Sequence, residues 1–123
     1  MSEKKIMNKI QMALSGFGAR IFRNQVGKYK LPNDNWISYG LGPGSSDLIG
    51  WTTVQIKPSM VGRRIAVFTA IEVKTPKGRI TPQQENFIRV VRVNGGIGFV
   101  ARSTEEATEK LFKGSNLSNG TGL

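Results

Sequence analysis

Cysteine and histidine are both missing from the 123 residues of this chain. Without cysteine there is no disulfide framework, no zinc–thiolate centre and no thiol nucleophile. Without histidine the commonest general base is gone, and with it the Ser-His-Asp mechanism. Any metal must then be held by oxygen ligands, which favours Mg²⁺ or Mn²⁺ over Zn²⁺. Acids are scarce too. Eight stand against 18 lysines and arginines, a net charge of +10, and that balance points to a polyanionic partner, nucleic acid first. An anionic membrane surface is the second candidate, yet no run of about 18 apolar residues is present and the N-terminus lacks a signal-peptide apolar region. The expected location is the cytoplasm.

A hydrophobic content of 38%, with tryptophan and phenylalanine present, suits one globular domain with a single core. Ile6, Ile10 and Leu14 recur every four positions, so residues 3–15 read as a helix, stopped by Gly16 and Gly18. Alternation over 19–24 reads as a half-buried strand. Residues 25–44, with Pro32, Asn33, Asp34 and several glycines, read as a loop. Tyr29, Trp36 and Tyr39 lie in it beside Lys28 and Lys30; they either pack inward or stack on bases. A strand is expected over 46–51, extended or followed by 52–57, and then a turn at 58–64. The apolar run 65–74 is expected to return as the next strand of a hairpin. Thr81-Pro82 places a helix N-cap and first helical residue, and Gly95-Gly96 ends that helix. A strand over 97–101 and a helix capped by Ser103 follow. The domain is expected over 1–113, with a flexible, Gly/Ser/Asn-rich tail at 114–123. The order is helix, strand, strand, strand, helix, strand, helix (αβββαβα): an α/β arrangement with a central mixed sheet flanked by helices.

Three of the eight acids cluster late, at Glu105, Glu106 and Glu109. The few others, Glu3, Asp34, Asp47, Glu72 and Glu85, are candidates for holding a cation. Glu72 and Lys74, two apart at the end of an apolar run, point to one strand face. By themselves they read as a same-face ion pair. Asp47 reads equally as a strand-end residue, and Glu3 as an acid favoured by a helix dipole. Gln84, three residues after Thr81, fits a capping box. Lys77 and Arg79, just past the Glu-x-Lys strand, are the best placed phosphate contacts, and Gly78 between them permits close backbone approach. Arg23 and Asn24, at the end of the first strand, and Lys28 are further candidates for contact with DNA. Each basic residue, taken singly, also reads as a solvated surface charge.

The element order, with Asp47 and Glu72-Val-Lys74, resembles the PD-(D/E)xK nuclease core, its Pro-Asp signature loosened to Gly44-Ser-Ser-Asp47. More closely, the chain resembles the small stand-alone VRR-NUC proteins of phages and bacteria. The matching stretches are Phe22-Arg-Asn-Gln-Val-Gly27, Gly44-Ser-Ser-Asp-Leu-Ile-Gly50, Ala70-Ile-Glu-Val-Lys74, Gly78-Arg-Ile-Thr-Pro-Gln-Gln84 and Gly95-Gly-Ile-Gly-Phe-Val-Ala-Arg102. The resemblance implies a divalent-metal endonuclease in which Asp47, Glu72 and the backbone carbonyl of Val73 hold Mg²⁺ or Mn²⁺. Lys74 and Gln84 would act beside them, and Glu3 is implied as a further ligand. It also implies a homodimer akin to Holliday junction resolvases, acting on four-way or otherwise branched DNA, in a host cytoplasm if phage-encoded. Two other readings stand beside it: a basic DNA-binding module without turnover, and a nuclease for single-stranded or other structured nucleic acid.

Overall fold

The computed structural model describes residues 2–115. Contacts divide the chain into two compact units, one up to Ile56 and one from Lys57 on.

In the first unit, Ser2 begins helix α1 (Glu3–Ser15) by accepting a hydrogen bond from the Lys5 N–H at 3.2 Å. Gly16 ends it. The helix packs on strand β1 (Ala19–Arg23), and Gln11 Nε2 donates to the Ile21 carbonyl at 3.1 Å, fixing the helix along the strand. Strand β1 pairs antiparallel with a later strand, Leu48–Thr52, from Ala19 opposite Thr52 to Arg23 opposite Leu48. Gly50 has to be glycine, because a Cβ there would collide with the Arg20 carbonyl.

Between these strands, where a loop was expected over 25–44, the chain forms an antiparallel hairpin of β2 (Gly27–Lys30) and β3 (Trp36–Tyr39). The Leu48–Thr52 strand is therefore β4. The hairpin turns at Leu31-Pro32-Asn33-Asp34. The Asp34 N–H donates to the Leu31 carbonyl at 3.0 Å, proline suits the second turn position, and Asp34 takes the left-handed φ of 69° that aspartate tolerates. Four-residue strands are too short to show a period, so composition alone reads the segment as a loop.

The second unit opens with a 3₁₀ turn at Pro58–Met60. Strand β5 (Thr69–Val73), helix α2 (Pro82–Val93), strand β6 (Ile97–Ala101) and helix α3 (Thr104–Ser115) follow. Strand β5 begins four residues later than its apolar run. It pairs parallel with β6, Thr69 beside Ile97 through Val73 beside Ala101, with α2 as the crossover that a parallel pair requires. Gly98 faces α2, where a Cβ would press on the Ile88 carbonyl at 3.2 Å. Ile97, Phe99 and Ala101 face the other way and are buried with Ala107 of α3 against them. Val91 of α2 is only 1% exposed, burial worth about 1.5–3 kcal/mol. Two cations close the outer edge of β6. Arg92 Nε donates to the Gly98 carbonyl at 2.6 Å and Lys110 Nζ to the Val100 carbonyl at 2.8 Å.

The fold class is α/β, with three α-helices and short sheets among the described residues. Hydrogen bonding runs in three two-stranded sheets, where one central mixed sheet was expected, because β4 is paired to β1 and β5 to β6. The β2–β3 hairpin adds two strands to the expected αβββαβα order. Gly114 and Ser115 belong to α3; the remainder of the expected flexible tail, from 116 on, lies outside the described residues. Among the described residues, no helix is long and apolar enough to cross a membrane.

Candidate functional site

Alternation along β5 puts Glu72 and Lys74 on the face that α2 covers. Lys74 Nζ stands 3.6 Å from Glu72 Oε1, and the two side chains are 19% and 31% exposed. Gln84, in the first turn of α2, reaches the same oxygen: its Nε2 donates to Glu72 Oε1 at 2.8 Å. Gln84 also completes the capping box. Its Oε1 accepts from the Thr81 N–H at 3.0 Å, and its own N–H donates to Thr81 Oγ1 at 3.1 Å. Capping and contact with Glu72 thus coexist in one side chain. Both contacts to Glu72 fall on Oε1. A cavity of about 360 Å³ lies between β5 and α2, lined by Glu72, Gln84, Phe87 and Ile88 among others.

The ladder bonds from the Ile97 N–H to the Phe68 carbonyl and from the Lys74 N–H to the Ala101 carbonyl set the phase of β5. Even-numbered residues direct their backbone groups to β6, so the Val73 carbonyl points away from it. Past the strand, Thr75-Pro76-Lys77-Gly78 forms a β-turn, with the Gly78 N–H donating to the Thr75 carbonyl at 3.0 Å. Lys77 and Arg79 are exposed on this segment. Arg102 holds the turn: its Nη1 donates to the Thr75 and Gly78 carbonyls, each at 2.6 Å. The Arg102 backbone N–H in turn donates to Glu106 Oε1. This bond, with Lys110 adding to it, holds the Glu106 carboxyl below its ordinary value. Sequence reasoning assigned Arg102 no role. Its place at the end of the Gly95–Arg102 motif, one residue past β6, was the available signal.

In the first unit, Asp47 immediately precedes β4 and its carbonyl accepts from the Asn24 N–H at 2.8 Å. The Asn24 side chain ties the loop before Asp47 at three points. Its Nδ2 donates to Ser45 Oγ at 2.7 Å and to the Ser46 carbonyl at 2.9 Å, and its Oδ1 accepts from the Leu41 N–H at 3.0 Å. Asn24 was expected to contact DNA; its amide makes these three bonds to the loop that leads to Asp47. Asp47 borders two cavities. One, of about 450 Å³, is shared with Glu3, Met7 and Ile10; the other, of about 240 Å³, with Arg23 and Asn24. Glu3 and Asp47 thus meet one cavity from α1 and from the start of β4. Lys28 lies on the β2–β3 hairpin, its Nζ 5.3 Å from the centre of the Trp36 ring.

Among the described residues, neither unit gathers three acidic side chains into a preformed cation cage. The donors at hand are carboxylate and carbonyl oxygens. Such a sparse, hard set fits Mg²⁺ or Mn²⁺, which take one or two carboxylates and complete their shells with water and substrate phosphate.

A family model described as the VRR-NUC domain matches residues 24–105. The matched stretch contains Asp47, Glu72, Lys74, Gln84 and Arg102, and excludes Glu3. No curated protein and no solved structure matches the chain.

Proposed function

We propose, since the chain belongs to the VRR-NUC domain family, whose members are nucleases acting on DNA, that it is a divalent-metal endonuclease for branched DNA. The observation that carries this reading is the Gln84–Glu72–Lys74 group. A half-buried carboxylate, oriented through one oxygen by an amide and an ammonium, opens on a cavity.

Asp47, Glu72 and the Val73 carbonyl are the proposed cation ligands, with Glu3 as a further one. When bound, Mg²⁺ or Mn²⁺ supplies Lewis-acid stabilisation of charge on the phosphoryl oxygens. The chain's own residues do the rest. Gln84 holds the Glu72 carboxylate in one orientation. Lys74 sets a positive charge beside it, where it orients the attacking water or meets the scissile phosphate. Lys77 and Arg79 on the turn pinned by Arg102, with Arg23 and Lys28, position the DNA backbone without reading sequence. Asn24 positions Asp47. Hydrolysis joins the water oxygen to phosphorus and breaks one ester bond, leaving a phosphate monoester and a free hydroxyl. Branch specificity and a homodimer rest on the resemblance to stand-alone VRR-NUC proteins. Two sites related by a two-fold axis suit symmetric cuts in a four-way junction.

The test is cleavage of an end-labelled immobile junction beside its linear duplex and single strands, with Mg²⁺, Mn²⁺ or EDTA. Paired junction nicks that need metal are expected. Asp47→Asn and Glu72→Gln should each reduce cleavage to background while still binding DNA, because removing negative charge does not weaken attraction to phosphate. If either variant cut at the wild-type rate, its assignment as a ligand would be wrong. Equal cutting of every substrate would remove the branch specificity.

A further inference from the structure

The β2–β3 hairpin has two unlike faces. Its register sets Lys28 opposite Ser38, Tyr29 opposite Ile37 and Lys30 opposite Trp36. Facing residues share a side of the sheet and successive residues alternate. Tyr29, Ile37 and Tyr39 therefore lie on one face, and Lys28, Lys30, Trp36 and Ser38 on the other. The tyrosine face is partly self-covered: the rings of Tyr29 and Tyr39 are 6.3 Å apart, and the Tyr39 ring lies over Gly27. The other face is open. Trp36 is 59% exposed, Lys28 stands at its ring, and Lys30 sits directly across the ladder, paired with the exposed Asp34 at 3.3 Å.

A broad indole left in water forgoes the burial that ordinarily stabilises it. What covers it here must be flat, to use the ring, and anionic, to match two ammonium groups on a chain of net charge +10. A nucleotide meets both conditions. The base has to come from a single strand, because a base inside a duplex has both faces covered by its stacked neighbours. The hairpin is also held to the rest of its unit. The Leu41 N–H, two residues past β3, is bonded to Asn24, whose amide ties down the loop leading to Asp47.

We infer that the Lys28–Lys30–Trp36 face receives an unpaired nucleotide, with Trp36 stacking on the base and the two lysines holding the adjoining phosphates. The inference rests on the nucleic-acid reading above and adds which face takes a single strand.

The experiment is fluorescence anisotropy of the full chain against a labelled oligothymidylate and a blunt linear duplex of equal length. It is run in EDTA at one fixed salt concentration. Trp36→Ala is expected to weaken oligothymidylate binding about tenfold and duplex binding by less than about twofold, with Trp36→Phe retaining most of the affinity. Trp36→Leu, which keeps apolar bulk in the strand, gives the same comparison should the alanine variant not fold. Equal loss on both probes, or no loss on either, overturns the inference while the nuclease reading stands. Wild-type protein that binds neither probe also overturns the inference, while the nuclease reading is decided separately by junction cleavage with metal.

Discussion

Gln84 joins the start of a helix to the carboxylate of the site, and its chemistry leaves no choice of orientation. A backbone N–H can only donate and an ionised carboxylate can only accept. The amide oxygen therefore goes to Thr81 and the amide nitrogen to Glu72. Substitution separates the two tasks. Glutamate at this position still accepts from Thr81, as in the common capping box, but turns a donor toward Glu72 into a like charge. Gln84→Glu should lower the thermal melting temperature modestly through that repulsion and, on the proposed role of Glu72 as a ligand, lower cleavage about 10–100-fold. Melting and cleavage measured on one preparation check this. A variant that melts and cuts like wild type would show the contact with Glu72 to be idle.

At the scale of the element, α3 begins with a titratable lock. Ser103 Oγ accepts from the Glu106 N–H at 3.1 Å, and the Glu106 carboxylate accepts from the Arg102 N–H. That bond lowers the folded-state pKa of Glu106 below its ordinary value of 4.5. Its contribution to stability is thus complete above the ordinary value and is lost as pH falls through the lowered one. The melting temperature of Glu106→Gln should trail wild type at neutral pH, and the gap should narrow as pH falls through the lowered pKa of the carboxyl. A gap that does not move with pH would place the effect outside the carboxylate. Helix α2 was legible end to end, because Thr81-Pro82 and Gly95-Gly96 are local backbone signals. Strand β5 was only partly so. Ile65 and Val67 extend its apolar run yet are 55% and 43% exposed outside the ladder, since apolar character signals burial and does not assign a pairing partner. Period two predicted that Glu72 and Lys74 share a face. Arg102 is marked locally only by closing the Gly95–Arg102 stretch; its partners Thr75 and Gly78 lie 27 and 24 residues back.

For the whole molecule, the dominant quantity is its positive charge, and salt is the way to read it. Binding to duplex DNA should weaken linearly on a log–log scale as salt rises, with a slope of about −0.9 per phosphate neutralised. Lys77→Ala and Arg79→Ala should each flatten that slope by about 0.9. A slope unchanged in both would move the phosphate contacts elsewhere on the chain. A basic chain gathers many copies along one nucleic acid, and crowding of that kind favours strand-to-strand zipping wherever a sheet edge is open. The outer side of β6 is closed to it. The carbonyls a new strand would need, at Gly98 and Val100, already accept from Arg92 and Lys110, and an incoming strand would have to displace both cations. Two copies that meet on DNA would have to break both of these bonds before they could pair through this side of β6.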